Sequence, residues 1–177
     1  MYWVNTFKNL PDNEKKALVQ KAYDTGYSYE GKFANCPQCT LAALDDIFGC
    51  VDDEFFKAAY NLGAGLGATS KGSCGSLNAV AMLISSFHGR DRAHFETGRY
   101  PECYELSRRI LYRFIDIYGT CICHEVHKKI FDGKSFDLSI PEQFAAFEAA
   151  GGHKDKCTSV VGNVCKLFAE MVVNGEI

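Results

Sequence analysis

The chain has 177 residues, a formal net charge of −3 and 47% hydrophobic residues, enough for one domain with a proper core. Its basic residues gather only into short doublets, Arg108-Arg109 and Lys128-Lys129, so nucleic-acid and membrane-surface binding have no electrostatic support. No apolar run approaches the roughly 18 residues of a membrane span, and the N-terminus has no basic start followed by an apolar run; the expectation is a cytoplasmic protein with mostly reduced thiols.

Residues 1–11 read as an N-terminal arm ending in Pro11. Asp12 then opens a helix to about Thr25, with Ala17, Leu18 and Ala22 at helical spacing. Residues 26–34 read as a polar and aromatic loop. Asn35 caps a helix to about Phe48, with Pro37 in its first turn and Gly49 at its stop. Asp52 opens a short helix through Phe55, Phe56 and Ala59. A glycine-rich connection follows, with Gly63, Gly65, Gly67 and Gly72. The next helix runs from about Cys74 to His88, with Ser73 as its cap and Gly89 just past its end.

After a charged loop, Pro101 starts a long helix that ends at Gly119. A shorter one, CHEVHKKIF, begins near Cys123. Residues 132–139 read as a loop. Pro141 to Ala150 form a helix closed by Gly151-Gly152, and Asp155 caps the last helix, from Lys156 to about Val173. There is no clear strand and no internal repeat. The expected fold is all-α, an irregular bundle of about seven or eight helices in a single domain.

Nine cysteines are odd in number and too many to be incidental. A disulfide scaffold would show an even count in a shorter chain, so metal binding or redox chemistry is the better reading. Four of them share one context. Cys36, Cys74, Cys123 and Cys157 each fall in the first turn of a predicted helix. Unpaired backbone N–H groups and the helix dipole there favour negative charge, by roughly 0.3–1 kcal/mol per exposed site, and therefore thiolate over thiol. Four such termini pointing inward would hold thiolates and an anionic cluster. Gly75, directly after Cys74, lets another group come close.

Cys39 makes a C-x-x-C with Cys36, and Cys121 a C-x-C with Cys123; both are spare ligands or resolving thiols. Cys50, Cys103 and Cys165 are isolated and read as packing residues. His124 and His127, three apart beside Cys123, are ligand candidates but read more simply as partly exposed surface residues. His88, His94 and His153 read as surface or helix-end residues. The glycine-rich connection fits neither G-x-G-x-x-G nor G-x-x-x-x-G-K-[ST] and has no strand before it, so nucleotide binding is not expected. Cys36-Pro37-Gln38-Cys39 lacks the strand that a thioredoxin-like setting requires. Ser73 and Ser76 have no base partner, and Asp45-Asp46 and Asp52-Asp53 read as solvated charges.

From about Asn35 to Val173 the sequence resembles the C-GCAxxG-C-C family, named for four cysteines and a Cys-Gly-Ala-x-x-Gly motif. The matching pieces are Asn35-Cys36 before an apolar helix and the glycine-rich run into Cys74-Gly75. They continue with Tyr118-Gly119 followed by Cys123-His124-Glu125-Val126, and with Lys156-Cys157. The third family cysteine maps to Cys123 rather than Cys121. The motif here is Cys74-Gly75-Ser76-Leu77-Asn78-Ala79, with Ser for Ala and Ala for the second Gly, both small-for-small. The resemblance implies a redox role and a relation to the domain of split-Soret cytochromes, where an iron–sulfur centre accompanies the haems. No C-x-x-C-H is present, so covalent haem is not expected.

Three functions stay open. The first is an iron–sulfur electron-transfer protein ligated by Cys36, Cys74, Cys123 and Cys157. The second is a metal-free thiol–disulfide redox protein using the same residues. The third is a non-enzymatic zinc module on the pairs Cys36/Cys39 and Cys121/Cys123. The implied partner is a redox protein not named by the sequence, and a homodimer is also open.

Overall fold

The computed structural model describes residues 2–177, with side chains from Asn5 onward. Among the described residues nine α-helices follow in chain order: α1 (Tyr2–Lys8), α2 (Asp12–Phe33), α3 (Cys36–Phe48), α4 (Asp53–Ala58), α5 (Gly75–His88), α6 (Pro101–Tyr118), α7 (Cys123–Ile130), α8 (Pro141–Ala149) and α9 (Cys157–Val173). Among the described residues there is no strand; Ser73 and Ile122 form one isolated antiparallel bridge. The fold is an all-α irregular bundle, as the periodicity predicts. No helix among the described residues is long and apolar enough to cross a membrane.

Local chemistry sets most helix ends. Asn35 caps α3, its side chain accepting from the Gln38 amide, and Gly49 closes it in the left-handed region. The Asp52 side chain accepts from the Phe55 amide to open α4. Pro101 starts α6 and Gly119, at φ 77°, ends it.

Two segments differ from the sequence reading. Residues 2–8 form α1, packed on α9, where an arm is expected. α2 runs unbroken to Phe33, through the stretch that reads as a loop. Gly26 sits inside it without ending it, because the Cys165 thiol of α9 occupies the space of a side chain: a Cβ there would lie 2.6 Å from Sγ. Helix–helix contact thus outweighs the roughly 1 kcal/mol that glycine costs a helix interior.

α9 is buried on most of its faces and forms the centre of the bundle. α2 and α3 pack against it and against each other, and α5 joins α3 to α6. The core is continuous through Leu41 and Leu44 of α3, Val80, Leu83 and Ile84 of α5, Ile110 and Phe114 of α6, and Val161, Phe168 and Met171 of α9. This scaffold sets the N-termini of α3, α5, α7 and α9 around one hollow.

Candidate functional site

The glycine-rich connection organises the hollow. Between Ala64 and Ser70, six residues adopt positive φ: Ala64, Gly65, Leu66, Gly67, Ala68 and Ser70. Four of these carry side chains, each costing roughly 1–2 kcal/mol in that conformation. Such strain persists only where surroundings over-determine it, typically at functional sites. Here the surroundings are visible. The Cys123 amide donates to the Gly72 carbonyl, the His124 amide to Ser70, and the Cys74 amide to Cys121, at 2.8–2.9 Å. These bonds clamp the start of α7 to the loop and bring Cys123 beside Cys74.

Cys36, Cys74, Cys123 and Cys157 all line one cavity of about 540 Å³, together with Glu30, His127 and His153. Among the described residues no lysine or arginine lines it. Its wall also includes Phe33, Tyr60 and Phe144, which are exposed. Gly75 lies against the Cys36 thiol: a Cβ there would sit 2.9 Å from Sγ and 2.6 Å from the Leu62 carbonyl oxygen. The close approach expected at Gly75 is therefore to another of the four cysteines.

The helix starts differ in detail from the expectation. Cys74 is the residue before α5, occupying the cap position given to Ser73; the Ser73 hydroxyl instead bonds the Asn78 side chain at 2.7 Å. Cys157 opens α9 after a π-helical turn, Gly152–Lys156, so Asp155 is not a simple cap.

The expectation that helix starts make these cysteines thiolates is overturned. Burial pushes the Cys74 thiol up to about 11, although the Leu77 and Ser76 amides draw it partly back. Burial likewise pushes Cys123 up to about 12. It holds Cys36 and Cys157 well above the usual thiol range, with Glu30 adding to both. Helix-end stabilisation is a fraction of a kcal/mol to about 1 kcal/mol per site, whereas each pKa unit is about 1.36 kcal/mol, so desolvation wins. The donors are nonetheless in place. The Ala64 amide draws Cys36 partly back, the Ser76 and Leu77 amides Cys74, and Ser70, whose buried hydroxyl has no hydrogen-bond partner, Cys123.

His127 departs most from its reading. It is 2% exposed rather than a surface residue, with its ring packed against Phe131, Phe136 and Phe147. Its Nε2 lies 3.8 Å from Cys123 Sγ and 3.9 Å from Cys157 Sγ. Burial lowers its pKa to about 4, so the ring is neutral. The four-residue spacing from Cys123 was the available signal, since such residues share a helix face. His124 stays on the surface beside Glu125. His153 is half-buried, 18% exposed, between Glu30 and Glu148. Nothing in the local sequence distinguishes Glu30 from an ordinary helix carboxylate.

The spare thiols lie elsewhere. Cys39 donates to the Ala34 carbonyl at 2.7 Å, and neither it nor Cys121 lines the cavity. All nine cysteines are free. Among the described residues no three Cys, His, Asp or Glu side chains are grouped at the spacing of a single metal ion.

No curated protein and no solved structure matches the chain. A family model described as "Putative redox-active protein (C_GCAxxG_C_C)" matches residues 34–171, a span that contains all four cavity cysteines. With that match over most of its length, the chain belongs to the C-GCAxxG-C-C family.

Proposed function

We propose that the protein transfers electrons through an iron–sulfur cluster held by Cys36, Cys74, Cys123 and Cys157. The observation that carries this reading is that four thiols from four separate helix starts line one cavity. The donor set fits the group: Cys₄ ligation suits iron–sulfur clusters, and hydrogen bonds to sulfur tune their potentials. A single zinc ion, with Zn–S near 2.3 Å, would gather its thiolates to roughly 3.8 Å from one another. The four thiols instead surround a hollow and show no such grouping. When bound, the cluster supplies one-electron transfer.

The chain's own residues do the rest. The backbone amides of Ala64, Ser76 and Leu77 and the Ser70 hydroxyl offset the negative charge that ligation leaves on sulfur. The Phe131–Phe136–Phe147 group shields one wall and fixes the His127 ring. A metal-free dithiol reading has less support, because exchange proceeds through thiolate at ambient pH and these thiols are held far above it.

The test is an absorption spectrum of protein purified without oxygen, with iron, sulfide and zinc measured on the same sample. Visible charge-transfer bands with iron and sulfide are expected. Cys74→Ser and Cys157→Ser should each abolish or severely weaken metal binding, while Cys39→Ser and Cys121→Ser should keep it. Serine cannot replace a soft, charged thiolate, yet it is nearly isosteric, and each variant's metal-free melting temperature checks its fold. Zinc alone, lost on Cys39→Ser and Cys121→Ser, would move the reading to a zinc module. A protein without metal that cycles between dithiol and disulfide would move it to thiol exchange.

A further inference from the structure

Helix α6 keeps one face clear of the bundle. Cys103, Leu106, Ile110, Phe114 and Tyr118 turn inward to the core. On the opposite side, Tyr104, Arg108, Tyr112 and Asp116 follow one another at four-residue spacing, which sets them in one row along the helix. All four are exposed, Tyr104 by 70% and Tyr112 by 59%. The other two arginines of this helix are tied down, Arg109 by Glu105 and Glu176, and Arg113 by Glu176. The side chains of Arg108 and Asp116 have no ion-pair or hydrogen-bond partner among the described residues. An arginine and an aspartate thus stand bare, one turn to either side of an exposed tyrosine.

Charge decides how such a row can meet a copy of itself. In a two-fold dimer the same patch faces itself, so each contact occurs twice. With two α6 helices antiparallel, an axis at Arg108 would set arginine against arginine. An axis at Asp116 would set aspartate against aspartate. An axis at Tyr112 instead sets Arg108 against Asp116 twice, each pair about 6 Å along the helix from the centre. The two tyrosines meet at the axis. Their rings supply apolar area at small cost in conformational freedom, and their hydroxyls stay in water.

We propose that α6 is the contact of a homodimer, with Tyr112 at the two-fold axis and Arg108 of each copy paired with Asp116 of the partner subunit. Among the described residues, none of α6 lines the cysteine cavity. The dimer therefore leaves the cavity mouth open to a redox partner, and it stands apart from the iron–sulfur reading. A face one helix wide buries less than the roughly 800 Å² per partner of a standard interface, so association is weak and follows protein concentration. Its ion pairs are exposed, and added salt loosens them.

The experiment is sedimentation of the full chain from about 1 to 500 μM, with a thiol reductant that keeps the nine cysteines free. The mass should rise from one copy toward two across that range, and less so in high salt. Arg108→Asp and Asp116→Arg should each raise the dissociation constant roughly tenfold or more, since each sets two like-charged pairs face to face. The double reversal, Arg108→Asp with Asp116→Arg, restores opposite charges and should return association close to the wild-type level. Melting temperatures check that each variant folds. The formal net charge is −3, and the two single reversals move it in opposite directions. A non-specific charge effect would therefore weaken one variant and strengthen the other, whereas facing pairs weaken both. A wild-type chain that stays monomeric to about 500 μM overturns the dimer. A dimer that ignores both reversals lies on another face and overturns the assignment to α6. Opposite shifts in the two single variants, or a double variant as weak as either one, overturn the Arg108–Asp116 register.

Discussion

Gly75→Ala adds one methyl group where four helix starts meet. An alanine Cβ would lie 2.6 Å from the Leu62 carbonyl oxygen, 2.9 Å from Cys36 Sγ and 3.0 Å from Pro37 Cδ. Ordinary contact begins near 3.4 Å, so each neighbour must move by several tenths of an ångström. The Leu62 oxygen is backbone and accepts the Leu66 amide, so its displacement reaches the loop that presents Ala64 to Cys36. Overpacking of this kind costs about 1–3 kcal/mol. Alanine returns at most about 1 kcal/mol of helix propensity, and less at the first position of α5. The net loss is about 1–2 kcal/mol. For a chain of this size, that lowers the melting temperature by roughly 2–8 °C. Circular dichroism melting of the metal-free protein reads the packing loss, and iron content after anaerobic loading reads the displacement of Cys36. A variant that melts at or above the wild-type temperature and loads full iron would refute the close-approach argument.

Three further outcomes follow from the same geometry. Gly65→Ala should cost about 3 kcal/mol or more, since its φ is +69° and its Cβ would lie 2.7 Å from Cys123 Cβ; Gly67→Ala, at φ +58° in open space, should cost only about 1–2 kcal/mol. Equal losses on urea unfolding would show that Cys123 does not press on the loop. In metal-free protein, Cys74 and Cys123 should alkylate slowly at pH 8 and speed up toward pH 11–12, where burial places their ionisation; mass-spectrometric mapping that finds them as fast as an open thiol at pH 8 would count against that burial. Glu30 is raised from 4.5 to about 7, so between those values the native state binds more protons than the unfolded one, and stability falls as pH rises through the window. Glu30→Gln should therefore stabilise the metal-free protein at pH 8 by something on the order of 3 kcal/mol, with the gain disappearing near pH 4; a gain that does not change with pH would contradict the sign.

The amino-acid sequence by itself determined where most helices begin and end, because caps and stops are local chemistry. Asn35 with Pro37, Asp52, Pro101 and the glycines at 49 and 119 act through their own backbone and their nearest neighbours. That same local pattern marked Cys36, Cys74, Cys123 and Cys157 as a set. The tertiary structure alone decided what needs two distant segments at once. Gly26 is read as the start of a loop until the Cys165 thiol of α9 is seen to fill its side-chain space. Cys74 becomes a cap because its amide is held by the Cys121 carbonyl, far along the chain. The thiols are neutral rather than ionised because burial, a property of the whole bundle, outweighs the dipole of any single helix. Glu30 has nothing unusual beside it in sequence, and His127 carries only its four-residue spacing from Cys123; both join the cavity because α2, α7 and α9 converge on it.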